Sequence, residues 1–334
     1  MAKMLGIDLG TAYTRFCLKN EGVILRAPSV ISFENRTHEV LAVGVEAKRM
    51  IGRTPSNISA IKPIRGGVVA NIEQVALMVG ALLEENGMTS AFRRPTVLAG
   101  LPFGANESER RALEDALFEA GASAVLLAEQ PMAAALGAGM KVMSARGGML
   151  VDIGAGTIEV AVISHGGVII SSVLKTAGES MTDAVIRAVM ENHSILIGEM
   201  TAESLKIKLG TLAPMDRGFA PISGKSTKMG GAAQATVASG ELREALLPYA
   251  ETIIKTIRSA MEAMPPELSS DIADYGILLC GGGSLLPGLA EYIKHALGMN
   301  VARAKSPMDC VSLGLAEILA GGNEMRRFIC SSSK

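Results

Sequence analysis

Two short stretches hold residues that could grip a phosphate and a metal. Residues 4–18 read MLGIDLGTAYTRFCL and residues 147–164 read GGMLVDIGAGTIEVAVIS. In each, an apolar run meets a lone Asp (Asp8, Asp152), then Gly (Gly10, Gly154), then Thr (Thr11, Thr157). A carboxylate inside an apolar strand is costly unless something compensates its charge. Glycine permits φ > 0 and lets backbone N–H groups approach a ligand, and converging N–H groups form an anion-binding concavity. An Asp beside that concavity would repel a phosphate unless a cation stands between them, and Mg2+ held through its waters is the natural one. One copy alone reads as an ordinary hairpin. Two copies, about half a chain apart, point to a polyphosphate clamped from both sides.

The residues after the glycines fix the element type. In a dinucleotide-binding fingerprint the glycines open a helix. Residues 157–163, TIEVAVI, instead alternate with period two and are rich in β-branched side chains, so the predicted order is strand, tight turn, strand. A third glycine group differs. The apolar strand 276–280 turns at Gly281, Gly282, Gly283 and Ser284 into a predicted helix 287–297, placing bare backbone and a positive helix terminus where a flat nucleobase or ribose could lie. GFAPISGKS at 218–226 imitates a phosphate loop, but five residues separate its glycines where four are needed, and no apolar strand leads in.

The remaining elements must position these groups. Short strands are expected over 22–33, with Pro28 at an edge or bend. Residues 42–48 and the basic, Pro-bearing stretch 49–65 read as a small appended subdomain. Helices are predicted over 68–84, closed by Gly87, and over 107–120, whose first turn is acidic. Strands are predicted at 96–101 and 125–128. The second leads through Glu129 and Gln130 into a helix with Pro131 at its first position, a place where a polar pair usually faces a cleft. A helix comes after Gly178, and another covers 202–208 with Thr201 as its N-cap; there Glu203 and Lys206 share a face and read, by themselves, as a surface ion pair. Residues 217–235 read as irregular, 241–264 as a long amphipathic helix closed by Pro265 and Pro266, and 301–302 as a strand. Small residues in the helix 311–319 suit a close helix crossing. The tail 321–334 loses periodicity and is expected to be mobile.

Composition bounds the class. The chain has 334 residues, enough for two domains at roughly 150 each, with 49% apolar and 19% charged residues. A net charge of −1 without a basic block argues against nucleic acid as partner. Cys17, Cys280, Cys310 and Cys330 have no ligand spacing and read as reduced residues, three of them in core contexts. The four His are likewise scattered. No run approaches the ~18 apolar residues of a membrane helix and no signal peptide is apparent, so a cytoplasmic location is expected.

In this order the motifs resemble the actin-like ATPase superfamily, the twin hairpins looking like its two phosphate motifs and GILLCGGGSLLPGL like its adenosine motif. Over nearly the whole chain the match is to the bacterial rod-shape-determining actins, the MreB family, carried by IDLGTAYT, GRTPSNISAIKPIRGGVVAN, EQPMAAALGAG, MLVDIGAGTIEVAVIS, TAESLKIKLG and PPELSSDI. The resemblance implies an α/β actin-like fold: two ribonuclease-H-like domains flanking a nucleotide cleft, each with a small subdomain. The implied divisions are 1–30, 68–145 and 306–334 (first domain) with subdomain 31–67, and 146–180 and 247–305 (second domain) with subdomain 181–246.

Carried over by residue, it implies Asp8 and Asp152 on Mg2+ through water. Gly10, Thr11, Ala12 and Tyr13, with Gly154, Ala155, Gly156 and Thr157, would hold the phosphates of ATP or ADP. Glu203, Ser204, Leu205 and Lys206 match the motif on ribose and base, and Gly281, Gly282, Gly283, Ser284 and Leu285 would lie beside the nucleoside. Gln130 and Thr157 would be the catalytic pair. Gln130 stands where most such actins carry Glu; an amide orients a water but cannot take its proton, so slow hydrolysis is expected. GAGTI replaces the usual GGGTT, and Tyr13 replaces the usual Asn.

The implied protein assembles head to tail into filaments, possibly paired, on the inner membrane face, where it organises membrane proteins of cell-wall synthesis and sets rod shape. The N-terminus is short for the amphipathic anchor some members carry. Membrane contact would then fall to the loop around Phe92, beside Arg93 and Arg94, although a Phe packed under its own loop fits the sequence as well. A plasmid-partition actin and a small-molecule kinase of the same superfamily are the rival readings.

Overall fold

The computed structural model describes residues 4–90 and 94–330. The chain divides into two compact units, Met1–Ser144 with Gly166–Val168 and Met308–Lys334, and Ala145–His165 with Ile169–Pro307. Among the described residues no helix is long and apolar enough to cross a membrane.

The first unit is built on a six-stranded sheet in the order Ile329–Cys330, Ala124–Glu129, Thr96–Leu101, Met4–Leu9, Tyr13–Leu18, Gly22–Pro28. Met4–Leu9, Thr96–Leu101 and Ala124–Glu129 run parallel, and the other pairings are antiparallel. Leu5, Ile7, Leu9, Val97, Ala99, Val125 and Leu127 are buried together with Val75, Met78, Val79 and Leu82 of the helix Ile72–Glu85 and Leu113, Ala116 and Leu117 of the helix Glu107–Glu119. The helices Gln130–Gly137 and Cys310–Ala320 cross so closely that a Cβ at Gly137 would collide with the Cys310 carbonyl, and one at Gly314 with the Ala133 carbonyl. The small residues of 311–319 serve the crossing their sequence predicts. A three-stranded sheet, Val40–Val43, Ile31–Glu34 and Ile58–Ile61, occupies the stretch expected to be a subdomain.

The second unit carries a five-stranded sheet in the order Gly167–Leu174, Ile158–Ser164, Gly148–Ile153, Ile277–Cys280, Val301–Arg303. Ile158–Ser164 is buried at every position, as a strand covered on both faces must be. Its core joins Val151, Ile153, Val160 and Val162 to the long helix Ser239–Ala263 through Leu246, Ile253, Ile254 and Ile257.

Several expectations are corrected. The helix placed over 68–84 begins at Ile72, because Val68–Val69 pairs with Ile64–Arg65 and Asn71 caps the helix by accepting from Gln74 N–H. Residues 217–235 are not irregular: Phe219–Ser226 and Ala232–Ala238 form an antiparallel hairpin whose alternating burial marks a sheet with one covered face. That strand also disposes of the false phosphate loop. Thr201 lies inside the helix Glu199–Leu209, capped instead at Gly198, and Pro131 is the second helical residue, after Gln130. The tail is structured as far as Cys330, since Phe328 is buried and Ile329–Cys330 adds an edge strand to Ala124–Glu129. None of the four cysteines forms a disulfide among the described residues; Cys17, Cys280 and Cys310 are buried, and burial pushes the Cys17 thiol up to about 12. The loop residue Phe92, with Arg93, lies outside the described residues.

Candidate functional site

In the first unit the strands Met4–Leu9 and Tyr13–Leu18 pair with Asp8 opposite Arg15 and Leu9 opposite Thr14, and Gly10 N–H closes the turn onto the Tyr13 carbonyl at 3.1 Å. In the second unit Asp152 stands opposite Glu159 and Ile153 opposite Ile158, and Gly154 N–H closes onto the Thr157 carbonyl at 2.8 Å. The two turns are the same device in the same register. Neither Gly10 nor Gly154 takes the positive φ expected of it. Each is glycine because a Cβ would press on that closing carbonyl, at 2.8 Å from Tyr13 O and 3.0 Å from Thr157 O.

Both turns are gripped by their carbonyls. Ser29 Oγ donates to Gly10 O at 2.6 Å and Ser29 N–H to Ala12 O at 3.0 Å. In the second turn Gly178 N–H donates to Gly154 O at 3.1 Å and Glu179 N–H to Ala155 O at 2.8 Å, so the N-terminus of the helix Gly178–His193 docks on the turn. A trans peptide points its N–H opposite to its C=O. Holding the carbonyls therefore turns the Thr11, Ala155 and Gly156 amides away from the braces. Among the described residues these three, and Ala12, donate no hydrogen bond to another group. Unmet donors converging at a turn are what a phosphate needs.

Asp8 is 6% exposed, and its Oδ2 receives two long contacts, from Arg15 Nη1 and Ser312 Oγ, each at 3.4 Å. Burial raises its pKa above the usual carboxylate range, against the pull of Arg15 and Ser312. A carboxylate so desolvated and so loosely met suits a hydrated cation. Asp152 is partly exposed at the matching position. The hydroxyl of Thr11 accepts from Gly67 N–H at 3.0 Å, and Thr157 is partly exposed. Tyr13 lies 36% exposed with Arg15 and Lys48 at 5.7 and 5.2 Å from its ring centroid. Gln130, partly exposed, opens its helix; Gly100 leaves room for it, since a Cβ there would lie 3.0 Å from Gln130 Cγ.

Glu203 and Lys206 are more than a surface pair. Lys206 Nζ reaches Glu203 Oε2 at 2.7 Å, Gly178 O at 2.8 Å and Thr182 Oγ1 at 2.8 Å, tying the helix Glu199–Leu209 to the helix start that braces the second turn. Ser204 is exposed, whereas the Leu205 side chain belongs to the core. The glycines after Cys280 correct the expected helix terminus. Gly282–Leu285 is a 3-10 turn, Gly281 has φ +77°, and the helix itself starts at Leu289. A Cβ at Gly281 would collide with Asp152 Oδ1 and Ile153 O, and one at Gly283 with Ile153 Cγ2. Their bareness thus lets this segment press on the Asp152 strand. Ser284 spends its hydroxyl on Gly281 O at 2.7 Å, and Leu285 is 40% exposed.

The family model described as MreB/Mbl protein matches residues 2–327. The chain belongs to the MreB/Mbl family. It is 39% identical over 319 residues to the cell shape-determining protein Mbl of Bacillus subtilis, covering 95% of this chain and 96% of that protein. To the cell shape-determining protein MreB of Escherichia coli it is 41% identical over 316 residues, covering 93% and 91%. Crystal structures of MreB5 of Spiroplasma citri superpose with a TM-score of 0.89 for the form bound to AMPPNP (31% identity, 94% of this chain and 95% of that one) and 0.91 for the form bound to ADP (30% identity, 98% of each). A MamK double helical filament shares the fold at TM-score 0.79 and 20% identity, over 95% of this chain and 98% of that one. The expected actin-like α/β fold is thereby borne out.

Within this MreB/Mbl chain, sequence reasoning overlooked Arg15, Ser29, Gly67, Thr182, Asp309 and Ser312. Arg15 was within reach: once the turn is placed at 10–13, counting outward puts 15 opposite 8. The others come from distant segments.

Proposed function

We propose that the chain binds ATP and ADP, with Gly10 to Tyr13 and Gly154 to Thr157 on the phosphates, Asp8 and Asp152 on Mg2+ through water, and the segments around Glu203 to Lys206 and Gly281 to Leu285 beside the nucleoside. The observation that carries this reading is the pair of equivalent turns whose carbonyls are held and whose amides are left to donate. The MreB5 neighbours, bound to AMPPNP and to ADP, support it. When bound, Mg2+ would neutralise phosphate charge and polarise the terminal phosphoryl group. Gln130 would orient the attacking water without taking its proton, with Thr157 as the second catalytic group, so turnover is slow.

On this reading ATP drives head-to-tail assembly into filaments, single or paired. They lie peripherally at the cytoplasmic face of an anionic membrane, contacted by the loop around Phe92, and organise membrane proteins of cell-wall synthesis to set rod shape. The subdomains are 31–67 and 181–246. The test is sedimentation and light scattering of the purified chain with Mg-ATP, with and without anionic liposomes. ATP-dependent pelleting that increases with liposomes is expected; a chain that stays monomeric and ignores vesicles would refute the assembly reading.

A further inference from the structure

Arg15 is assigned no contact with phosphate or metal above, yet it is the cation that faces Asp8, the carboxylate that matters most in the first hairpin. Its Nη1 lies 3.4 Å from Asp8 Oδ2 and its Nε 3.3 Å from Asp309 Oδ1. Asp309 is fixed from its other side by Arg26, whose Nε and Nη2 donate at 2.9 and 2.8 Å. The side chains of Arg15 and Asp309 are only 13% and 14% exposed, so solvent and salt screen them little. Charge alternates along the row Asp8, Arg15, Asp309, Arg26, and one buried guanidinium is shared between two carboxylates. It is held in place rather than adapted to either: Arg15 Nε is buried without a well-aligned hydrogen bond. The second hairpin puts Glu159, a carboxylate, at the matching register position.

We propose that Arg15 is a resident counter-cation for Asp8, a positioning residue that makes nucleotide binding by the first hairpin less dependent on Mg2+. This rests on the reading of Asp8 as a metal-holding carboxylate. A carboxylate already facing a guanidinium attracts a divalent ion less, and the ion must also approach Arg15 against its charge. The same guanidinium contributes part of the positive field that a polyphosphate otherwise takes from the metal.

The test is ATP affinity of the full chain, measured with a fluorescent ATP analogue in excess Mg2+ and again in EDTA. The readout is the ratio of the two Kd values, in which general damage to the site cancels. Even at solvent-like dielectric, repulsion between a divalent ion and a guanidinium a few ångström apart amounts to about a tenfold effect. Arg15→Met is therefore expected to raise the Mg2+ enhancement about tenfold, and Arg15→Lys to keep it near the unsubstituted value. Asp309→Asn, which releases Arg15 to Asp8 alone, is expected to lower it. An unchanged ratio in Arg15→Met overturns the proposal. Should that variant not fold, an unchanged or raised ratio in Asp309→Asn does so. If ATP binds in neither arm even to the unsubstituted chain, the nucleotide reading falls and this proposal with it; if ATP binds but the ratio stands still, only the role of Arg15 falls.

Discussion

The two glycine turns share a register and a closing hydrogen bond but are supported by different means. The first is braced by one residue, Ser29, through its hydroxyl and its backbone N–H, and its Asp8 is buried against a guanidinium and a hydroxyl. The second is braced by a helix N-terminus, and its Asp152 strand is backed by Gly281 and Gly283 packed against it. The same local motif therefore sits in two electrostatic settings, one with an opposing Arg and one with an opposing Glu across the hairpin. Cross-strand pairs of unlike charge stabilise and like pairs destabilise, so the two hairpins differ in local electrostatics although their backbones match.

The largest expected effect is on the second support. Gly281→Ala places a methyl where Asp152 Oδ1 and Ile153 O already lie, on a backbone with φ +77°. It is expected to destabilise the chain by about 3 kcal/mol, read as a lowered calorimetric transition. A variant with unchanged stability would show that the glycine ledge does not support the Asp152 strand. Next in size, Asp152→Ala is expected to weaken Mg-ATP binding by roughly 10- to 100-fold. Asp8→Ala should cost less, because Arg15 remains as a cation. Equal losses on titration calorimetry would erase the electrostatic difference between the hairpins.

The smallest effect is acid sensitivity. Hydrogen bonds from Arg26, with the charges of Arg26 and Arg15, hold Asp309 below the usual carboxylate range. A depressed folded-state pKa stabilises above the unfolded value and is lost as pH falls through the folded one. The stability gap between the unsubstituted chain and Asp309→Asn is expected to be about 1 kcal/mol near neutrality, since Arg26 is half exposed. It should close as pH drops below about 4, read by denaturant titration across pH. A gap that persists in acid would mean that Asp309 acts through packing rather than charge.

Much of the fold was legible because periodicity is local. The apolar runs into Asp8 and Asp152, the glycines after them and the period-two run 157–163 pointed to both hairpins, and small residues at 311–319 to the close crossing through Gly314. The hairpin 219–238 was missed because its open face mixes Phe219, Pro221, Ala232 and Ala238 with Ser223, Lys225, Gln234 and Thr236, which blurs the alternation, and its turn is glycine-rich, which in sequence resembles a loop. The edge strand Ile329–Cys330 was missed because two residues carry no period at all. In the site, Glu203 and Lys206 could be paired by helical spacing, but their tie to Gly178 O crosses 28 residues and leaves no local trace.

Sequence alone determined that two Asp-bearing glycine turns exist, that both lie between strands, and which family contains the chain, since each is set by residue type and short-range spacing. Tertiary structure decided how the turns are held and charged. Ser29, Gly178, Gly281, Asp309 and Ser312 reach them from distant positions, and the charge around a buried carboxylate depends on what packs against it, which no spacing along one strand encodes.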